Sequence, residues 1–150
     1  MNFKATGIPY AQTHFFSNLV LDYLNECETL ESFYNHFPKA ESLELAIEEK
    51  AKQNMDRELL ANSLLAQYDS LDKTEAVISN IELLKKSETF TITTAHQPNI
   101  FTGPLYFIYK ILHAIKLAAH CKELFPQNNF VPVYYMGSED ADLDELGHIF

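Results

Sequence analysis

Cysteine is scarce in this chain: there are two, Cys27 and Cys121, both inside helical patterns and without metal-type spacing. They read as free buried thiols, and neither a disulfide framework nor a zinc site is indicated. There is also no apolar run of transmembrane length, and the opening MNFKATGIPY lacks the basic start and apolar stretch of a signal peptide. The expectation is a soluble, cytoplasmic protein. Positive charge is short as well, with 11 basic residues against 21 acidic ones and a formal net charge of -10. Such a balance repels phosphate backbones and anionic lipid surfaces, so neither nucleic acid nor membrane is expected as a partner. A small anionic ligand remains compatible with it, because a helix N-terminus or a few lysines act locally while distant charge is screened.

What is present is a chain of 150 residues, 47% hydrophobic and 13% aromatic, which is long enough to close one core. No internal repeat, low-complexity tract or flexible linker interrupts it. From Phe15 to about Lys86 apolar residues recur at spacings of three and four: Leu19, Tyr23, Leu24; then Leu30, Phe33, Tyr34, Phe37; then Leu43, Ala46, Ile47. Two further helical patterns carry Leu59, Leu60, Leu64 and Val77, Ile81, Leu84. Pro38 is expected to stop the second pattern, Asn54 to cap the fourth, and DSLDK from Asp69 to separate the last two. These segments carry no chemical signature and read as packing material with a solvated face.

After Ser87 the texture changes. TFTITT, Thr89 to Thr94, alternates as a strand does, and FVPVYYM, Phe130 to Met136, is the near-continuous apolar run of a strand covered on both faces. Pro132 cannot donate to the ladder there. Leu105, Ile108, Tyr109, Leu112, Ile115, Lys116 and Ala119 keep helical spacing in between. Strand, long helix, strand predicts a parallel βαβ unit over 89–136. The fold class is therefore α/β, a Rossmann-like open parallel sheet preceded by an N-terminal helical segment. We divide the chain into a helical part, 1–87, and the first part of the Rossmann-like core, 88–150. Since two strands do not make a stable open sheet alone, that core reads as truncated.

In such sheets ligands bind outside the carboxyl ends of the strands. Thr94, His96 and Gln97 emerge at the first of these ends, Pro98 and Asn99 turn the chain, and Gly103 with Pro104 starts the helix. Pro104 suits the first helical position, with Thr102 or Gly103 as cap. The second strand runs into GSEDADLDEL, which sets Ser138, Glu139, Asp140 and Asp142 at the neighbouring end. Parallel neighbours lie about 4.8 Å apart, so the two polar clusters should open onto one pocket. Lys110 is within reach of a phosphate or carboxylate bound there. Taken singly, each has a plainer reading: His96 as a turn residue, Ser138 as a cap with acids on a helix dipole, and Tyr106, Phe107 and Tyr109 as core or pocket wall. His113 and His120 lack a third nearby ligand and read as structural or exposed.

TTAHQPNIFTGPLYFIYK from Thr93 and FVPVYYMGSEDADLDEL from Phe130 resemble the N-terminal region of the cysteine-adding enzymes of bacillithiol biosynthesis. That family's pattern runs T-G-[HQ]-Q-x-x-[IL]-F-x-G-P-L-Y-x-x-Y-K and then [ST]-E-D-H-D-F-x-E. ATGIPYAQTHFFSNLVLDYL, Ala5 to Leu24, is similar to the family's opening, so the likeness covers essentially the whole chain. The resemblance implies a Rossmann-like core that joins cysteine to glucosamine-malate. It also implies longer chains with a coiled coil, a homodimer at full length, and no turnover by these residues alone. ATP and magnesium are the candidate cofactors by resemblance, and the cofactor is left open.

Carried onto this sequence, the resemblance assigns catalytic roles to His96, Asp140 and Lys110. It assigns substrate or nucleotide binding to Thr94, Gln97, Asn99, Gly103, Tyr106, Ser138, Glu139 and Asp142, and no dedicated metal site. Glu139, Asp140 and Asp142 would orient an amine or hold magnesium, and Lys110 would stabilise negative charge. Ala95 stands where the family has glycine, Ala141 where it has histidine, and Leu143 where it has phenylalanine. Two other readings stay open. Asp140-Ala141-Asp142 matches the metal-holding acid pair of nucleotide-sugar glycosyltransferases, and Ala95 with Ala141 fits a non-catalytic ligand-binding relative.

Overall fold

The structure, a computed structural model, describes residues 4–99 and 103–140. The chain divides after Lys52 into two compact units.

In the first unit α1 (Tyr10–Thr13), α2 (Asn18–Leu24) and α3 (Ala40–Ala51) are helical, with a 3-10 helix at Glu28–Phe33. The second predicted helix is thus shorter and tighter than its spacing suggested. Tyr34 leaves it in extended backbone, and its ring packs edge-on against Tyr23 at 5.5 Å. Phe37 joins the same cluster, 5.0 Å from Tyr23. The 3-10 helix carries Leu30 and Phe33, and the aromatic contacts account for Tyr34 and Phe37 beyond it. None of the described residues in this unit is buried.

The second unit holds α4 (Arg57–Gln67), α5 (Glu75–Leu84), β1 (Thr89–His96), α6 (Leu105–Leu124) and β2 (Asn129–Met136). The cap of α4 is Asp56, whose carboxylate accepts from Leu59 N at 2.9 Å, and not Asn54. Two residues nearer the helix, an acidic side chain reaches the free amides of the first turn and meets the positive end of the dipole. Thr74 caps α5 in the same way, accepting from Val77 N at 3.3 Å.

β1 and β2 pair in parallel, Thr89 beside Asn129 through to His96 beside Met136. The Rossmann-like expectation therefore stands: a two-stranded parallel sheet with α6 as its crossover. Pro132 is accommodated opposite Ile92. Alternation sends Phe90, Phe130, Tyr134 and His96 to one face. That face meets α6, where Phe107 lies edge-on to Tyr134 at 5.5 Å and Phe125 packs on Phe130 at 6.3 Å. Ala114, Ala118 and Cys121 are the buried residues of the helix. Small residues there let the 20-residue helix lie close to the strands.

Among the described residues the opposite face is closed only at its amino end, where Thr89 and Val131 are buried, while Thr91, Thr93 and Ala95 are exposed. The described residues thus do not cover β2 on both faces over its full length. Its last three residues, Tyr134, Tyr135 and Met136, are exposed among the described residues. Arg57 fastens the closed end. Its guanidinium donates to the carbonyls of Leu84 and Thr89 at 3.0 and 3.1 Å and to that of Ser87 at 3.2 Å. Thr89 Oγ1 adds a bond to Leu83 O at 2.6 Å.

Candidate functional site

The site grows from the open ends of the strands. Gly137 N donates to His96 O at 2.9 Å, which extends the ladder by one bond and holds the two chain exits side by side. Beyond it, Ser138–Asp140 makes a single 3-10 turn, with Asp140 N bonded to Gly137 O at 3.2 Å. These exits surround a cavity of about 410 Å³, within the range of small-ligand sites. His96, Gln97, Tyr106 and Lys110 line it from the β1–α6 side, and Glu139 and Asp140 from the β2 side. His96 and Glu139, more than forty residues apart in sequence, meet there because parallel pairing aligns the strands' carboxyl ends.

Each wall is internally organised. His96 Nε2 lies 3.0 Å from Tyr106 Oη, and the two rings stack with centroids 5.2 Å apart. Phe107 closes the imidazole from another side, edge-on at 5.5 Å. Lys110 Nζ donates to Ala95 O, so the ammonium is drawn toward the strand end, one turn into α6. On the other wall Tyr135 Oη donates to Glu139 Oε1 and Oε2, at 3.1 and 3.0 Å. The hydrogen bond to Glu139, and after it the carboxylate's charge, pushes the Tyr135 hydroxyl above the ordinary phenol value, so it stays a donor.

Other predicted site residues are placed differently. Thr94 sits within β1 beside Tyr134, back from the strand end. Asn99 Nδ2 donates to Gln97 O at 2.9 Å and shapes the turn. Gly103 adopts φ 64°, and a Cβ there would fall 2.6 Å from Asn99 Cγ. Its glycine is therefore demanded by the turn and by Asn99. Thr94, Asn99, Gly103 and Ser138 are not among the described lining residues. Pro104 is itself the extended cap of α6, and Phe107 N bonds its carbonyl at 2.9 Å, so the helix starts one residue later than expected. Thr102, Ala141, Asp142 and Leu143 lie outside the described residues, and with them half of the Asp-x-Asp pair. Ala95, where a glycine was expected by resemblance, is ordinary paired strand beside Tyr135, so its methyl strains nothing.

Sequence patterns alone pass over Tyr135 and Gly137, because the first reads as strand core. Counting the parallel register from Thr89–Asn129 finds Tyr135 at the mouth, beside Ala95. Among the described residues no three His, Cys, Asp or Glu side chains are grouped to hold a metal ion. Glu139 and Asp140 still fit magnesium of the kind that keeps waters and takes one or two carboxylates plus phosphate oxygens. A second cavity, in the first unit, is lined by apolar side chains including Leu19, Val20 and Leu30 and offers no comparable chemistry.

Similarity to known proteins agrees with the Rossmann-like fold. The family model described as "Bacillithiol biosynthesis BshC, N-terminal Rossmann-like domain" matches residues 3–150. A protein of Flavobacterium johnsoniae named "Putative cysteine ligase BshC" is 46% identical over 143 residues, 94% of this chain and 27% of its own length. Proteins of the same name from Cytophaga hutchinsonii and Bacillus cereus (strain AH187) are 42% and 29% identical, over 99% and 100% of this chain and 28% and 27% of theirs. The chain thus spans about a quarter of the length of the curated relatives it matches.

Proposed function

We infer the function from one premise: this chain belongs to the BshC family of bacillithiol biosynthesis, matching its N-terminal Rossmann-like domain. We propose that it is the N-terminal part of a ligase that joins the carboxyl group of cysteine to the amine of glucosamine-malate, forming a carbon-nitrogen bond. The observation that carries this is the single cavity into which both strand ends deliver their polar residues, with cationic and imidazole groups on one wall and carboxylates on the other.

Amide formation needs a carboxylate made electrophilic, an amine delivered neutral and donors aimed at the charge that builds up. Lys110 suits the last of these needs, since by exchanging the Ala95 carbonyl for a ligand oxygen it would meet the developing negative charge. His96, steadied by Tyr106 and Phe107, is the group on hand to take the proton lost by the attacking amine. Asp140 and Glu139 would orient that amine or hold magnesium. ATP and magnesium, when bound, would supply the activated carboxylate's leaving group and neutralise its phosphates. Gln97 and Tyr106 would line the ligand. In the full-length protein we expect a cytoplasmic homodimer joined through a coiled coil, and the 150 residues alone are expected to bind ligand without turnover.

The test is complementation. Full-length protein supplied to cells that make glucosamine-malate but lack the ligase should restore bacillithiol, and absence of any thiol product would overturn the reading. Titration of the same protein with ATP, cysteine and glucosamine-malate, singly and together, would then show which ligand enters first.

A further inference from the structure

Tyr135 occupies a position where bulk is hard to explain by packing. It stands next to last in β2, 53% exposed, beside the small Ala95 and on the face that α6 does not cover. Its hydroxyl nevertheless has a fixed partner, donating to both oxygens of Glu139 across the Gly137 turn. Glu139 sits on a single 3-10 turn and is itself exposed, so packing among the described residues does not select its rotamer. Among the described residues Tyr135 is the donor that defines where this carboxylate lies. One shared proton leaves each oxygen further acceptor capacity, directed at whatever occupies the cavity.

We propose that Tyr135 is a positioning residue: it holds the Glu139 carboxylate at the cavity mouth so that it meets a donor group of the bound substrate. The proposal rests on the reading of this cavity as the ligase site and adds to it a residue that acts through Glu139. The backbone supports it, because Asp140 N bonded to Gly137 O at 3.2 Å closes the turn between the strand that carries the phenol and the residue that carries the acid.

The experiment is a double-mutant cycle in the full-length ligase with Tyr135→Phe, Glu139→Gln and the pair. Tyr135→Phe should raise KM for one of the two substrates about tenfold while kcat stays within about twofold, and should add nothing on the Glu139→Gln background. An unchanged KM, or effects that multiply, would overturn the proposal. Crystal structures of the wild-type and Tyr135→Phe proteins give a readout independent of turnover. Glu139 should leave its place when the hydroxyl is removed, and a carboxylate that stays put refutes the positioning role. If the wild-type protein makes no thiol product, the ligase reading falls, and this structural comparison still decides whether Tyr135 positions Glu139.

Discussion

At the amino end of the β1–β2 sheet Thr89 and Val131 are 2% and 3% exposed, whereas at its carboxyl end Tyr134, Tyr135 and Met136 are 39%, 53% and 53% exposed. The same two eight-residue strands, about 26 Å long, run between these states. The difference follows from what reaches each end. α5 and the Arg57 guanidinium close one, and the second half of α6 brings Ala118 and Cys121 against the strands. At the other end the described residues that leave the sheet are rich in polar and charged groups. Packing order is therefore built away from the proposed ligand site, and the polar side chains of that candidate site are carried where little is buried, a division that would limit the conflict between stability and function.

That division can be broken most directly at the packed end. Leu84, the buried last residue of α5, should cost about 3 kcal/mol of unfolding free energy when replaced by alanine, measured by urea denaturation. Arg57→Ala removes the donors to three carbonyls and should cost about 2 kcal/mol in the same experiment, because the carbonyls of Leu84 and Thr89 lose a charged partner in a part-buried place. Affinity per folded molecule should survive both changes. A loss of binding out of proportion to the unfolded fraction would show that the two ends are coupled after all.

Gly103→Ala probes the boundary between them. The left-handed backbone and the collision with Asn99 predict a loss of about 1–2 kcal/mol, together with a displaced β1–α6 turn. The limit of what the sequence makes legible also falls here. The alternation of Phe90 and Ile92 and the apolar run through Val131 made both strands legible, and helical spacing from Leu105 made α6 legible, because these patterns record which face is buried. Capping was less legible: Asn54 and Asp56 are both competent caps, and only the path of the chain into α4 selects Asp56. The convergence of His96 with Glu139 and Asp140 could be deduced from topology. The role of the Tyr135 hydroxyl could not, since its partner is set by the Gly137 turn and not by any period. In the first unit the spacing suggested one α-helix through Phe37, whereas Leu30 and Phe33 lie in a 3-10 helix and only Tyr34 and Phe37 join an aromatic cluster with Tyr23.

A smaller effect should appear at alkaline pH. Burial pushes the Cys121 thiol above its usual value, at 1% exposure. The folded state keeps its proton at pH values where the unfolded chain has begun to release it. Its contribution is complete below the ordinary thiol range and is lost as pH rises through the raised folded value. Cys121→Ala should flatten the decline of the urea midpoint over that window relative to the unsubstituted chain. Identical slopes for the two proteins would mean that the thiol is not confined in the way the α6–sheet packing requires.

The smallest stability change is expected at the open end, and it is the sharpest test of the comparison. Lys110 is exposed and its ammonium bonds a strand-end carbonyl in contact with solvent, so Lys110→Met should alter unfolding free energy by no more than about 0.5 kcal/mol. The same substitution removes the cation on the β1–α6 wall of the cavity and should lower affinity for an anionic ligand about tenfold at low salt, with the difference shrinking as salt is raised. The two outcomes separate because the lysine's partner in the free protein is replaceable by water, while its partner in the complex is not. If Lys110→Met instead destabilised the fold as Arg57→Ala does, the ammonium would be part of the framework that closes the sheet, and the carboxyl ends would owe their arrangement to it and not to strand pairing.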